Sequence, residues 1–412
     1  MQEKFYDCII IGAGAAGTAA AVRCKDLGID VIMIENKRRV GGIPLQCTHP
    51  GFGNFYYKEN LTGTEFAEKL TESSKIREVE SLTEAHVVSI EDISDTKKKI
   101  DLVTPKGVFT LYTGTIIYAT GAREKHRFET GIQGDRLSGV YTAGEAQTLM
   151  DIYGVLPGKK VVIIGSGDIG LIMARRFALE GAEVVGVIEM MPYPGGLTRN
   201  VVQCLHDFDI PLHTKKRVIE IRGNKRVEKL TTMDVNDDMK TVPGSENSIR
   251  CDTVALATGL IPYTKILDKL DVVKDSATGG PVVDEYLMTS IPGIFAAGNV
   301  LAVNDYVDFA AYQGERAAEG VVRFLRGDVG TSKIKVERGR NVRFAVPQYI
   351  SENDVTLYGR VKKPEPGVRI MVPEIGYQTK NTSVNPGEMI RLDINKRDLE
   401  GIGDKITVEV TR

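Results

Sequence analysis

Paired cysteines, a dominant sign of charge and a long unbroken apolar run are all missing from this 412-residue chain, and each absence removes a class of protein. The five cysteines, Cys8, Cys24, Cys47, Cys204 and Cys251, stand far apart, with none at the two-residue spacing of zinc or iron–sulfur ligands. No resident metal is therefore expected. An odd number of thiols without a framework fits a reducing compartment and points to the cytoplasm. A formal net charge of −2 from 53 basic and 55 acidic residues makes no field to gather nucleic acid or hold a membrane surface. The apolar stretch from Cys8 to Val22 is broken by Gly12, Gly14 and Gly17 and follows no basic region. It reads as strand, turn and helix start, so neither a signal peptide nor a membrane span is expected.

What is present is a globular composition, 42% hydrophobic and 26% charged, with room for two or three domains. An apolar run from Phe5 to Ile11 ends in Gly12-Ala13-Gly14-Ala15-Ala16-Gly17. A small-residue helical pattern then runs to about Leu27, and a strand from Asp30 finishes at Glu35. The pattern returns at Lys160 to Ile164, with Gly165-Ser166-Gly167-Asp168-Ile169-Gly170, a helix to about Glu180 and a strand ending at Glu189. Each copy is followed by alternating β sequence and closes on a small turn, Thr120-Gly121 in the first and Thr258-Gly259 in the second. A third glycine signal at Gly298-Asn299 precedes a helix from about Phe309 to Leu325 and is expected to return to the first domain.

After Gly327 short alternating runs between proline and glycine turns, without cysteine or histidine, indicate a separate small β domain. The expected fold is α/β: two Rossmann-like three-layer dinucleotide-binding domains plus a small C-terminal β-rich domain. The first domain would span 1–145 and 285–330, the second 146–284, and the third 331–412.

In such a βαβ unit the first glycine permits a tight turn, the second lets backbone approach a diphosphate and the third lets helix pack on strand. Gly12, Gly14 and Gly17, and again Gly165, Gly167 and Gly170, stand in those places. Glu35 and Glu189 lie about 20 residues further on, where a carboxylate accepts hydrogen bonds from ribose hydroxyls and repels a 2′-phosphate. The second site should therefore prefer NAD to NADP. A single such turn also arises for packing alone; two with matching strands and acids do not readily coincide.

These residues resemble the two-dinucleotide-binding-domain flavoproteins, the group that includes the pyridine nucleotide–disulfide oxidoreductases, over roughly residues 1 to 330. The resemblance implies FAD on Gly12, Gly14, Ala15, Ala16, Gly17, Glu35, Gly41, Gly42, Thr120, Gly121, Gly298 and Asn299. It implies NAD on Gly165, Gly167, Asp168, Ile169, Gly170, Glu189 and Gly259. Two departures stand out. Asn299 occupies a place where the group carries aspartate, and after Gly41-Gly42, where disulfide reductases carry a cysteine pair, only Cys47 is present. A dithiol relay in that position is excluded. The segments 41–53, 119–125 and 191–200 resemble a narrower family of FAD/NAD oxidoreductases found beside glycerol-3-phosphate dehydrogenases, similar to subunits of opine oxidase and hydrogen cyanide synthase.

Hydride passes directly between nicotinamide and flavin, so the protein must chiefly hold two rings together and exclude water. Cys47 and His49 are the catalytic candidates, as proton donors or a thiolate contact, against the alternative that they only pack. Tyr312 and Gln313 could reach flavin but fit ordinary helix packing, and Arg123 and Glu124 read as a solvated pair. The expectation is an oligomeric FAD/NAD-dependent oxidoreductase that exchanges electrons with a partner dehydrogenase subunit. The alternatives are a self-contained NADH oxidase and a non-catalytic flavin-binding assembly subunit.

Overall fold

A computed structural model describes residues 4–328 and 334–412. The chain divides into two compact units, one made of residues 1–122 and 262–412 and the other of 123–261. These crossings come earlier in the chain, on both sides, than the expected ones at 145/146 and 284/285. The reason for the first is visible in the pairing: Val140–Thr142 lies parallel to Thr253–Leu256 and so joins the second unit's sheet.

In the first unit Phe5–Ile11 sits centrally, parallel to Val31–Ile34 on one side and to Gly107–Tyr118 on the other. Glu80–Leu82 extends one edge. Ile294–Ala296 returns from far down the chain to pair parallel with Gly107–Tyr118, as the third glycine signal implies. The alternating segments His86–Ser94 and Lys97–Thr104 continue antiparallel from Gly107–Tyr118 within the same sheet. Cys8, Ile9 and Ile10 are fully buried because helices cover the central strand, which explains an unbroken apolar run instead of alternation. Burying each such isoleucine is worth about 1.5–3 kcal/mol.

Helix Ala15–Asp26 packs closely on helix Val307–Leu325, and the sequence permits this because the contact residues are small. A methyl group at Gly314 would collide with the carbonyl oxygen of Ala16. The second unit carries an all-parallel sheet in the order 140–142, 253–256, 160–164, 183–188 and 212–213. A separate four-stranded sheet contains Gln133–Gly134, Lys216–Gly223, Val227–Asp234 and Asn247–Arg250.

Residues 334–411 form two further sheets around a core of their own that includes Val342, Leu357, Val361, Val372, Ile406 and Val410. Their strands alternate as a half-buried sheet should, with Ile390, Leu392 and Ile394 inside and Arg391 and Asp393 outside. This β domain is joined to the rest of the first unit by apolar packing, with Phe344 and Val346 in that unit's core, and by polar contacts. Gln348 Oε1 accepts the Val283 N–H at 2.9 Å, and Arg316 donates to the Asp354 carbonyl at 2.9 Å. Among the described residues no helix is long and apolar enough to cross a membrane.

Candidate dinucleotide sites

The three glycines of the first turn meet three different surroundings. Gly12 has φ +99° and a side chain there would strike the Ala119 carbonyl; one at Gly17 would strike the Gly12 carbonyl. Gly14 instead leaves room for a methyl, whose nearest neighbour would be the Gly42 Cα in ordinary contact at 3.8 Å. The first and third glycines are thus demanded by packing, and the second leaves a cradle. Helix Ala15–Asp26 begins there with no side-chain cap, so its first amides point at that cradle.

Glu35, only 7% exposed, is held by one backbone donor on each oxygen: Ala13 N–H to Oε2 at 2.9 Å and Lys37 N–H to Oε1 at 2.8 Å. Gly41 N–H donates to the Ala13 carbonyl at 2.8 Å, which draws Gly41-Gly42 across the turn before the 3₁₀ turn Ile43–Gln46.

The second unit repeats this arrangement. Gly165 has φ +101° and is closed in by the Ala257 carbonyl, Gly170 is closed in by the Gly165 carbonyl, and nothing lies within 4 Å of a methyl placed at Gly167. Glu189 Oε2 accepts the Ser166 N–H at 2.9 Å and Oε1 the Met191 N–H at 2.8 Å. Ile169 is exposed in the first turn of helix Asp168–Leu179. Asp168 also holds a neighbouring segment: its Oδ1 accepts the Leu197 N–H at 2.8 Å and Asn200 Nδ2–H at 2.7 Å.

The closing turns are also latched. Thr120 Oγ1 donates to the Tyr263 carbonyl at 2.8 Å, and the Gly121 carbonyl accepts the Tyr263 N–H at 2.9 Å. The Gly259 carbonyl accepts the Lys125 N–H at 3.0 Å, beside a buried Thr258 hydroxyl with no protein partner. Gly298 N–H donates to Gln313 Oε1 at 3.0 Å, so Gln313 shapes that turn from the helix. Asn299 Oδ1 accepts the Asn304 N–H at 3.0 Å, which commits it to its own loop. Tyr312 OH donates to the Phe55 carbonyl at 2.8 Å.

Arg123 and Glu124 do not form the side-chain pair expected of them. Arg123 makes a two-pronged contact with Glu129, while Glu124 accepts the Gly144 N–H at 2.8 Å. The planar guanidinium fork matches a carboxylate two residues into the following helix better than a neighbour on the same strand. Arg123 holds the Glu129 carboxyl well below the usual carboxylate range, to about 2.

One residue that the sequence does not single out organises the loop after His49. Asp308, fully buried at the start of helix Val307–Leu325, accepts N–H bonds from Gly53 at 3.2 Å, Phe55 at 3.0 Å and Tyr56 at 2.8 Å. An acidic residue in a helix's first turn is the available signal.

The model of the family described as pyridine nucleotide-disulphide oxidoreductase matches residues 6–317. The chain belongs to that family. One subunit of the opine oxidase of Agrobacterium tumefaciens is 26% identical over 335 residues, which cover 77% of this chain and 64% of that protein. Thioredoxin reductase of Listeria innocua is 29% identical over 306 residues, 73% of this chain and 88% of that one. The crystal structure of T. acidophilum thioredoxin reductase superposes with a TM-score of 0.65 at 27% identity, covering 79% of this chain and 100% of that one.

As a pyridine nucleotide-disulphide oxidoreductase family member, the chain is an FAD- and NAD(P)-dependent oxidoreductase. The residues present fit both groups. Each unit offers an open second glycine, an uncapped helix start and a fixed carboxylate at the next strand's end.

The cysteines of this family member are all buried. Cys8 and Cys24 touch within the first unit's core, each 0% exposed. That contact, then burial, keeps the Cys24 thiol well above its ordinary pKa. Burial pushes Cys204 up to about 11 and Cys251 up to about 12, so both stay protonated at neutral pH. Cys47 ends the 3₁₀ turn, with Sγ donating to the Ile43 carbonyl at 3.5 Å and Cβ packed against Gly63. His49 is half-buried, its Nδ1 3.1 Å from the Pro50 carbonyl and its ring 5.2 Å from that of Phe52.

Proposed function

We propose that this protein moves hydride between NAD(H) and FAD and exchanges the electrons with a partner dehydrogenase subunit, with no redox-active disulfide. The observation that carries the reading is the burial of every thiol, with the one touching pair, Cys8 and Cys24, sealed in the core. A disulfide relay needs an accessible thiolate, and burial among apolar groups disfavours that form.

Bound FAD would supply the two-electron chemistry that side chains lack. The chain's own work is then to bind and orient: the amides at Gly14 and Gly167 receive the diphosphates, and Glu35 and Glu189 receive ribose hydroxyls. Glu189 also supports NAD over NADP. Its carboxylate repels a 2′-phosphate, and the first basic residue after it in sequence is Arg199. Cys47 and His49 remain the candidates for handling a proton at the flavin.

The partner reading draws on similarity to a protein that is itself named as a subunit. The C-terminal β domain, with its separate core outside the matched residues 6–317, is the proposed docking element. The narrower resemblance of segments 41–53, 119–125 and 191–200 suggests a glycerol-3-phosphate dehydrogenase as the partner. A cytoplasmic oligomer is the proposed setting.

The test is anaerobic addition of NADH to the purified protein. Flavin absorbance in the visible should bleach, and dye reduction should far outpace oxygen consumption. Oxygen use as fast as dye reduction would favour a self-contained oxidase, and turnover of a low-molecular-weight disulfide would sink the thiol-free mechanism.

A further inference from the structure

The two nucleotide units share more than their glycine turns. Glu35 is followed by Gly41-Gly42 and Glu189, at the same interval, by Gly195-Gly196. In both units the double glycine crosses the turn. Gly42 lies against Gly14, a methyl on it falling 2.7 Å from the Gly14 Cα. Gly195 lies against Gly167, 3.6 Å from its nitrogen by the same measure, and Gly196 against Asp168, 2.8 Å from Oδ1.

The fastenings differ. In the first unit the glycine turn itself holds the crossing segment through backbone, Gly41 N–H to the Ala13 carbonyl, and the side-chain bonds to that segment come from Thr64 and Cys47, outside the turn. In the second, two side chains do it, and their counterparts in the first turn are the methyl groups of Ala13 and Ala15. Ser166, fully buried, donates through Oγ to Glu189 Oε2 at 2.6 Å and accepts the Gly195 N–H at 2.9 Å. Asp168 Oδ1 accepts the Leu197 N–H and Asn200 Nδ2–H. The segment 192–200 is thus a strap, pinned by the residues that flank the open glycine.

We propose that Ser166 and Asp168 are positioning residues that pin this strap over the second glycine turn, and that the pinning controls how fast a nicotinamide dinucleotide leaves. The proposal rests on the reading that this site takes such a dinucleotide. A diphosphate against Gly167 must share the helix start with the Asp168 carboxylate, which repels it. The same carboxylate supplies the acceptor that holds the strap. The two roles are separable by substitution, since asparagine keeps Oδ1 as acceptor and loses the charge, while alanine loses both.

The variants are Asp168→Asn, Asp168→Ala and Ser166→Ala. The first unit's alanines at matching places show that the turn accommodates a methyl, and thermal unfolding followed by circular dichroism reports whether the variants fold. Two measurements apply: hydrogen exchange at Gly195, Gly196 and Leu197 without nucleotide, and the dissociation rate of NAD⁺ by stopped flow. In Asp168→Ala and Ser166→Ala, exchange at these amides should rise about tenfold or more, the scale of losing a buried hydrogen bond. NAD⁺ should leave Asp168→Ala about tenfold faster than Asp168→Asn, which should hold it at least as tightly as the parent.

Unchanged exchange in both alanine variants would overturn the strap. Equal NAD⁺ dissociation from the alanine and asparagine variants, or no NAD⁺ binding by the parent, would overturn its control of the ligand. A parent protein that binds NAD⁺ with strap exchange slowed, yet whose flavin NADH fails to bleach, supports the strap and defeats the hydride-transfer reading alone.

Discussion

The Tyr56 amide donates to Asp308 Oδ1 at 2.8 Å across 252 positions of sequence, and the Gly53 and Phe55 amides share the same carboxylate. One buried acid thus holds a loop that begins just beyond His49. Replacing Asp308 with alanine strands three amides, and each buried unsatisfied donor costs about 1–3 kcal/mol. Asp308→Ala should lose at least about 2 kcal/mol in urea unfolding, and Asp308→Asn should recover part of that loss.

The glycine turns predict a contrast between neighbouring positions. Gly167→Ala places a methyl in open space at a helix N-cap with φ −65°, so the fold should lose no more than about 1 kcal/mol, from the poorer cap, while NAD⁺ binding weakens about tenfold or more. Gly170→Ala drives a methyl into the Gly165 carbonyl and should cost about 2 kcal/mol or more in thermal unfolding. Equal effects of the two substitutions would contradict the assignment of an open cradle.

Asp284 supplies a pH dependence. Burial raises its carboxyl from the ordinary 3.8 to about 6, against the lowering effect of the Met288 and Tyr286 N–H bonds and of Arg316. The folded chain therefore binds this proton more tightly than the unfolded one, so the associated stability is present below about pH 4 and is lost as pH rises through about 6. Urea midpoints across that pH window should fall less steeply with rising pH in Asp284→Asn than in the parent. Parallel slopes would show that Asp284 titrates normally.

Thiol accessibility gives a direct check on the proposed mechanism. All five cysteines should react with a chromogenic disulfide reagent after denaturation, and each at least about tenfold more slowly in the native, FAD-loaded protein. Rapid reaction of two thiols in the native protein would mean an accessible dithiol exists.

Much of the site is legible in the sequence because its demands are local. A turn that brings backbone to a diphosphate needs glycine at fixed intervals, and Gly12, Gly14 and Gly17 announce it in six residues. Asp308 and Gln313 are not legible in this way. Their partners, the 53–56 amides and the Gly298 amide, reach them only through the fold. Arg123 misleads for a related reason: its neighbour in sequence, Glu124, turns to the Gly144 amide, and the competing acid Glu129 lies on the next helix.

The sequence by itself determined the two strand–turn–helix–strand units, their six glycines and their terminal acids, since periodicity and turn chemistry act over a few residues. Tertiary structure alone decided that Val140–Thr142 joins the second sheet, that Asp168 holds the strap at Leu197 and Asn200, and that Cys8 and Cys24 meet in the core. Those outcomes depend on which distant donors and surfaces compete for each group once the chain is packed, and burial makes leaving any of them unmatched costly.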